Sequence, residues 1–114
     1  MGQLFPIGKR ITRTTRTGLI GLVGFTLNDS LSVERQDLSA TTVGDYALFG
    51  GGYTYDDYIA TVDAYDSSLT RSTPTPLSVR RRSLSATTVG DYALFGGGDT
   101  NYGSSATVDG YIVI

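Results

Sequence analysis

An all-β fold made of two tandem units is what this chain of 114 residues predicts, and three observations carry the expectation. The stretch LSATTVGDYALFGGG occurs letter for letter at residues 38–52 and 84–98, a period of 46. Extending the alignment at that offset over residues 31–66 and 77–112 gives 25 identities in 36 pairs. Third, short runs of β-branched and aromatic residues alternate with Gly, Asp and Ser clusters, and no apolar period of a helix runs anywhere in the chain. Identical sequence at fixed spacing implies identical supersecondary units, and a period in this range points to propeller blades or solenoid turns.

Each unit reads as four strands. Leu38 to Val43 is the first, Gly44-Asp45 turns the chain, and Tyr46 to Phe49 returns as the second strand of a hairpin. Gly50-Gly51-Gly52 ends that strand where the backbone needs positive φ or close approach to a neighbour. A polar loop, Tyr53 to Tyr58, follows. Ala60 to Tyr65 alternates small or apolar with polar side chains as a third strand, and Asp66-Ser67-Ser68 leads to a fourth, Leu69 to Thr75. Pro74 and Pro76 suit an edge position there, because neither donates to a ladder. The chain divides into a basic N-terminal arm and assembly strand (1–30), a first repeat (31–76) and a second repeat (77–114).

The pattern resembles the kelch repeat, in which a basic residue precedes the first strand, an apolar second strand ends in a glycine doublet and a tyrosine lies in the third. Arg35, Leu38, Gly44, Tyr46 to Phe49, Gly50-Gly51 and Tyr65 carry the likeness, repeated as Arg81, Leu84, Gly90, Tyr92 to Phe95, Gly96-Gly97 and Tyr111. The fourth-strand tryptophan of that family is replaced by Leu69. The TVDAYD and LTR segments are similar to those of repeat proteins of Firmicutes and their bacteriophages. The resemblance implies two kelch-like four-stranded antiparallel blades per chain and a propeller.

A propeller needs roughly four to eight blades, and repeat architectures generally need at least three units. The second copy has no equivalent of Leu69 to Pro76, so its last strand is expected to present an open edge, an aggregation hazard unless covered. Leu22 to Ser30 of another copy is the expected cover. Arg10, Arg13 and Arg16 would anchor it, Leu22, Phe25 and Leu27 would pack, and Tyr111 and Val113 would receive it. Such head-to-tail contacts close into rings or run on as filaments. A homotrimer is favoured, with an open filament as the rival and a fragment of a longer array as the third possibility.

The charge distribution agrees with self-association. Residues 1–30 carry a net charge of +3 and residues 31–114 a net charge of −5. A basic arm docks on acidic surfaces of its own kind as readily as on nucleic acid or membrane, and no aromatic platform interleaves Arg10 to Arg16, so no nucleic-acid partner is expected. The longest apolar run, Leu19 to Phe25, is too short to span a bilayer.

Catalysis is not expected. Histidine and cysteine are absent and Lys9 is the only lysine, which removes the usual bases, nucleophiles and soft metal ligands. Gly2 to Lys9 has the wrong spacing for a phosphate loop, and Gly18-Gly21-Gly24 is GxxGxxG rather than GxGxxG. Asp56-Asp57 and Asp99-Thr100-Asn101 offer hard oxygens but not the ligand set of a calcium loop, and read as turn residues. No cofactor or metal is expected.

The loops differ between the copies while the scaffold does not. Tyr53-Thr54-Tyr55-Asp56-Asp57-Tyr58 corresponds to Asp99-Thr100-Asn101-Tyr102-Gly103-Ser104. Side chains of this kind make adaptable contact surfaces on rigid scaffolds. Tyr53, Tyr55, Asp56, Asp57, Tyr58, Asp99, Asn101 and Tyr102 are therefore the candidates for contact with a glycan or protein ligand. The expected function is a non-enzymatic structural or adhesion module, a virion or extracellular component, with an extracellular filament subunit lacking any ligand as the alternative.

Overall fold

A computed structural model describes residues 21–114, and within them the chain is all-β, with no helix. Repeat 1 forms a four-stranded antiparallel sheet in the order β1 (Ser39–Val43), β2 (Tyr46–Gly50), β3 (Val62–Tyr65), β4 (Arg71–Ser72). Repeat 2 forms a three-stranded sheet of β5 (Ser85–Val89), β6 (Tyr92–Gly96) and β9 (Val108–Tyr111). Between its last two strands a short hairpin, β7 (Asp99–Thr100) and β8 (Gly103–Ser104), stands apart as a two-stranded sheet. Among the described residues no closed propeller forms.

The registers repeat. Ser39 pairs with Gly50 and Val43 with Tyr46, as Ser85 pairs with Gly96 and Val89 with Tyr92. The two-residue connections open on Gly44 (φ 56°) and Gly90 (φ 53°), the positive φ that primed hairpin turns place at the first loop position.

A period of two gives each sheet two faces. Tyr46, Leu48 and Gly50 share one face with Val43, Val62 and Ala64, because Leu48 pairs with Ala64 and Gly50 with Val62. The opposite face carries Phe49 and Tyr65, and in repeat 2 the corresponding face carries Ala93, Phe95 and Tyr111. The core lies where the leucine face of repeat 1 meets the phenylalanine face of repeat 2. Val43, Leu48, Val62 and Ala64 are buried there against Leu77, Leu84, Ala93 and Phe95.

Two buried ion pairs lie within the repeats. Arg35 pairs with Asp63 at 3.1 Å and Arg81 with Asp109 at 3.0 Å. The Arg81 guanidinium also donates to the carbonyls of Val79, Phe95, Gly97 and Thr107. These arginines tie the segment before the first strand to the ends of the second and third, which explains why a basic residue recurs there.

Candidate functional site

The loop end is built on internal bonds. Tyr53 exchanges both backbone hydrogen bonds with Gln36, at 2.8 and 3.0 Å. The Thr54 hydroxyl donates to Asp57 O and accepts from the amides of Asp56 and Asp57, all at 3.1 Å, so the loop is a self-bonded turn. The rings of Tyr53 and Tyr58 meet edge to face at 5.3 Å. The Arg82 guanidinium carbon lies 4.9 Å from the first ring centre and 5.0 Å from the second, within cation–π range. Arg82 also reaches Asp37 at 3.6 Å. Two of the candidate ligand-contact tyrosines thus hold a cation from the second repeat of their own chain.

Asp57 is similarly engaged. It accepts from the Tyr58 amide at 2.7 Å, from Arg80 at 2.6 Å and from the Asn101 side-chain amide at 3.2 Å. The Tyr58 amide, the Asn101 amide and the Arg80 guanidinium hold its carboxyl below the ordinary value. Asp57, Arg80 and Asn101 therefore join the two loops. Tyr55 and Tyr102 are 96% and 99% exposed, and Asp56 and Asp99 are exposed as well. A cleft of about 450 Å³ opens among Val33, Glu34, Gln36, Tyr53, Tyr55 and Asp56. Its repeat-related counterpart, about 420 Å³, lies among Asp57, Val79, Arg80, Thr100, Asn101 and Tyr102.

Arg80-Arg81-Arg82 reads in the sequence as a solvated or blade-linking cluster, and Arg80 and Arg82 do link the two repeats; their partners were not foreseen, yet the sequence holds the signal. Arg80 stands where repeat 1 has Glu34, and its partner Asp57 stands where repeat 2 has Gly103. Arg82 replaces Gln36, and its partners Asp37, Tyr53 and Tyr58 correspond to Ser83, Asp99 and Ser104. Positions that differ between the copies pair with one another across the single internal junction.

The second region is that junction and its unfilled counterpart. Across it the Gly52 amide donates to Arg81 O at 2.9 Å, the Leu77 amide to Ala60 O at 2.8 Å, and the Ser83 amide to Asp37 O at 2.8 Å. The Ser39 hydroxyl donates to Leu84 O. A Cβ on Gly50 would stand 2.9 Å from Phe95 Cε2, and one on Gly51 would stand 2.7 Å from Arg81 O. At Gly96 and Gly97 the nearest atoms are 3.4 and 3.7 Å away and belong to repeat 2 itself.

Among the expected assembly residues, Arg10, Arg13 and Arg16 lie outside the described residues. Leu22 is fully exposed, Phe25 is 43% exposed and Leu27 is half-buried, in a segment that forms no strand. Tyr111 packs against the core, where burial, reinforced by the Asp109 carboxylate, pushes its hydroxyl up to about 12. Val113 reaches over Gly44, its Cγ2 lying 3.2 Å from where a Cβ would stand. Whereas β3 lies between β2 and β4, β9 pairs only with β6 among the described residues.

The segment ahead of each repeat is fastened in the same way. The Tyr65 hydroxyl donates to Asp29 O at 2.8 Å, and the Tyr111 hydroxyl donates to Thr75 O at 2.7 Å, both partners 36 residues apart. The Ser32 amide donates to Asp63 Oδ2 at 3.1 Å, and the Ser78 amide to Asp109 Oδ2 at 3.2 Å. Nothing comparable was legible before the structure, because the stretches 19–32 and 65–78 share only Leu-Ser at their ends.

Among the described residues no helix is long and apolar enough to cross a membrane. No family model matches the chain, and no curated protein matches it.

Proposed function

We propose that this chain is a non-enzymatic structural or adhesion module, kelch-like in its blades, that assembles head to tail with copies of itself. The observation that carries the reading is the matched fastening of residues 29–32 on repeat 1 and 75–78 on repeat 2. In repeat 2 that segment is preceded by β4, which pairs with the sheet before it through Ala64 with Ser72 and Tyr65 with Arg71. At the same offset, Phe25-Thr26 precede repeat 1. In a second copy they would meet Tyr111 and Gly110 of β9, adding the fourth strand that edge lacks and removing an exposed template for uncontrolled pairing. Three copies would supply six sheets, inside the range of roughly four to eight that close a propeller.

The exposed Tyr55, Asp56 and Tyr102, beside the repeat-related clefts, are the surface left for a glycan or protein partner on a virion or extracellular structure. Tyr53, Tyr58 and Asp57 support that surface from beneath, through Arg82, Arg80 and Asn101.

Cross-linking tests the strand addition. Antiparallel partners have Cα atoms about 4.5–5.5 Å apart, within disulfide reach, and the natural chain has no cysteine. Thr26→Cys combined with Gly110→Cys should give covalent multimers on mild oxidation. Finding only monomer, with native mass spectra also monomeric at all concentrations, would refute the assembly. Micrographs separate closed rings from a ligand-free filament, which the same contacts would build if the rotation did not close.

A further inference from the structure

We infer that the leucine face of repeat 2 is a docking surface for the phenylalanine face of repeat 1 in a second copy of this chain, with Phe49 entering the space beside Gly96. The inference rests on the head-to-tail reading and specifies the surface that joins the copies.

The same letters sit in two environments. Val43 and Val62 are 7% and 1% exposed, whereas their counterparts Val89 and Val108 are 57% and 60% exposed. The half-buried Tyr46 becomes Tyr92, 49% exposed. The complementary side behaves in reverse: Leu77, Leu84, Ala93 and Phe95 are buried, whereas Leu31, Leu38, Ala47 and Phe49 remain partly open. Each chain therefore exposes one copy of both halves of an interface whose other copy is closed inside it.

The glycines show that the fit is steric as well as apolar. Phe95 packs over Gly50 at a distance that admits no Cβ, and Arg81 O, Leu84 and Leu77 crowd Gly51. Gly96 and Gly97 leave the corresponding space open, and the residues that would fill it, Phe49, Arg35, Leu38 and Leu31, are identical to those that fill the first. The two leucine faces share their register and differ in sequence only where Ala64 is replaced by Gly110, which leaves more room, so a second copy has a formed seat.

The charged clamp does not carry over. At a junction between copies, Arg80 and Arg82 would be replaced by Glu34 and Gln36, and Asp57 and Asp37 by Gly103 and Ser83. The intermolecular contact keeps the apolar and backbone parts of the internal one and loses its two ion pairs. The contact between the two faces should accordingly be weaker than the internal packing, with no counterpart of those two ion pairs for salt to screen.

Gly96→Ala is the decisive variant. Its Cβ has room within the chain, with Val108 Cγ2 at 3.4 Å, but at the junction it would meet Phe49 as a Cβ on Gly50 would meet Phe95. Sedimentation velocity should report association weakened about tenfold or more, with the circular dichroism melt unchanged at concentrations where the natural chain is monomeric. Val108→Asp, a charge on an exposed position of the same face, should do likewise if Gly96→Ala perturbs the fold. Conversely, Gln36→Arg with Ser83→Asp should tighten association, because Ser83 (φ 57°) has the backbone that Asp37 (φ 58°) already adopts. If both face variants fold and associate like the natural chain, this interface is wrong, even where the Thr26→Cys, Gly110→Cys cross-link still forms. A natural chain that stays monomeric overturns both readings.

Discussion

Arg35 and Asp63 meet at 3.1 Å with both side chains fully shielded from solvent. The same pair in repeat 2, Arg81 with Asp109, keeps its carboxylate 19% exposed. Arg81 has four carbonyl acceptors besides Asp109, whereas Arg35 has two, Val33 O and Phe49 O. Removing one partner of a fully buried pair strands a charge at about 3–5 kcal/mol. Asp63→Ala should cost that much, and Asp109→Ala about 2 kcal/mol, since its arginine remains solvated by carbonyls. Urea denaturation of the two variants checks the order.

Glycines that are identical in sequence should differ in tolerance. Gly51 has φ 72° and no room for a Cβ, whereas Gly97 has φ 75° and open space. In the dilute monomer, alanine at residue 97 adds only backbone strain, about 1 kcal/mol, and alanine at residue 51 adds overpacking of about 1–3 kcal/mol more. Thermal melts should place Gly51→Ala well below Gly97→Ala.

Alkaline pH should loosen the seam between the repeats. The folded chain holds the Tyr111 proton up to about 12, against 10.0 for the free side chain. Between those values the unfolded chain has lost a proton that the folded chain keeps, so stability falls as pH rises. The contribution is complete below pH 10 and is lost on passing 12. Tyr111→Phe removes the share of this slope due to Tyr111 and leaves that of Tyr65, whose hydroxyl burial also pushes up, which melts followed between pH 9 and 12 would record.

Arg82→Ala should release the first loop. It removes two cation–π contacts, each worth about 0.5–1 kcal/mol at exposed sites, and the 3.6 Å pair with Asp37. With no tryptophan in the chain, tyrosine emission reads the change in Tyr53 and Tyr58 directly, and the melting temperature should drop by a few degrees.

The hairpins were legible because two local signals agree in them, the β-branched and small residues of 38–43 beside the apolar run of 46–49, and the Gly-Asp turn between. Strand β3 lies within the expected Ala60 to Tyr65, whereas of the expected Leu69 to Thr75 only Arg71–Ser72 pairs as β4. The hairpin of Asp99–Thr100 and Gly103–Ser104 was not legible, for strands of two residues have no period to read. It is held by the Thr100 hydroxyl, which donates to Gly103 O and accepts from the Tyr102 amide. The loop residues were found as a group, but the roles of Tyr53, Tyr58 and Asp57 were not, because their partners lie 23 to 44 residues away. Local composition cannot separate a tyrosine that awaits a ligand from one already occupied by an arginine.

The unequal shielding of duplicated residues makes the chain its own reference sample. Val43 and Val89 share their flanking sequence within each strand, so the separation of their methyl resonances isolates the effect of the covering sheet. Titrating the concentration upward should draw each member of such a pair towards its twin, and the residue at which the convergence stops marks the limit of the contact.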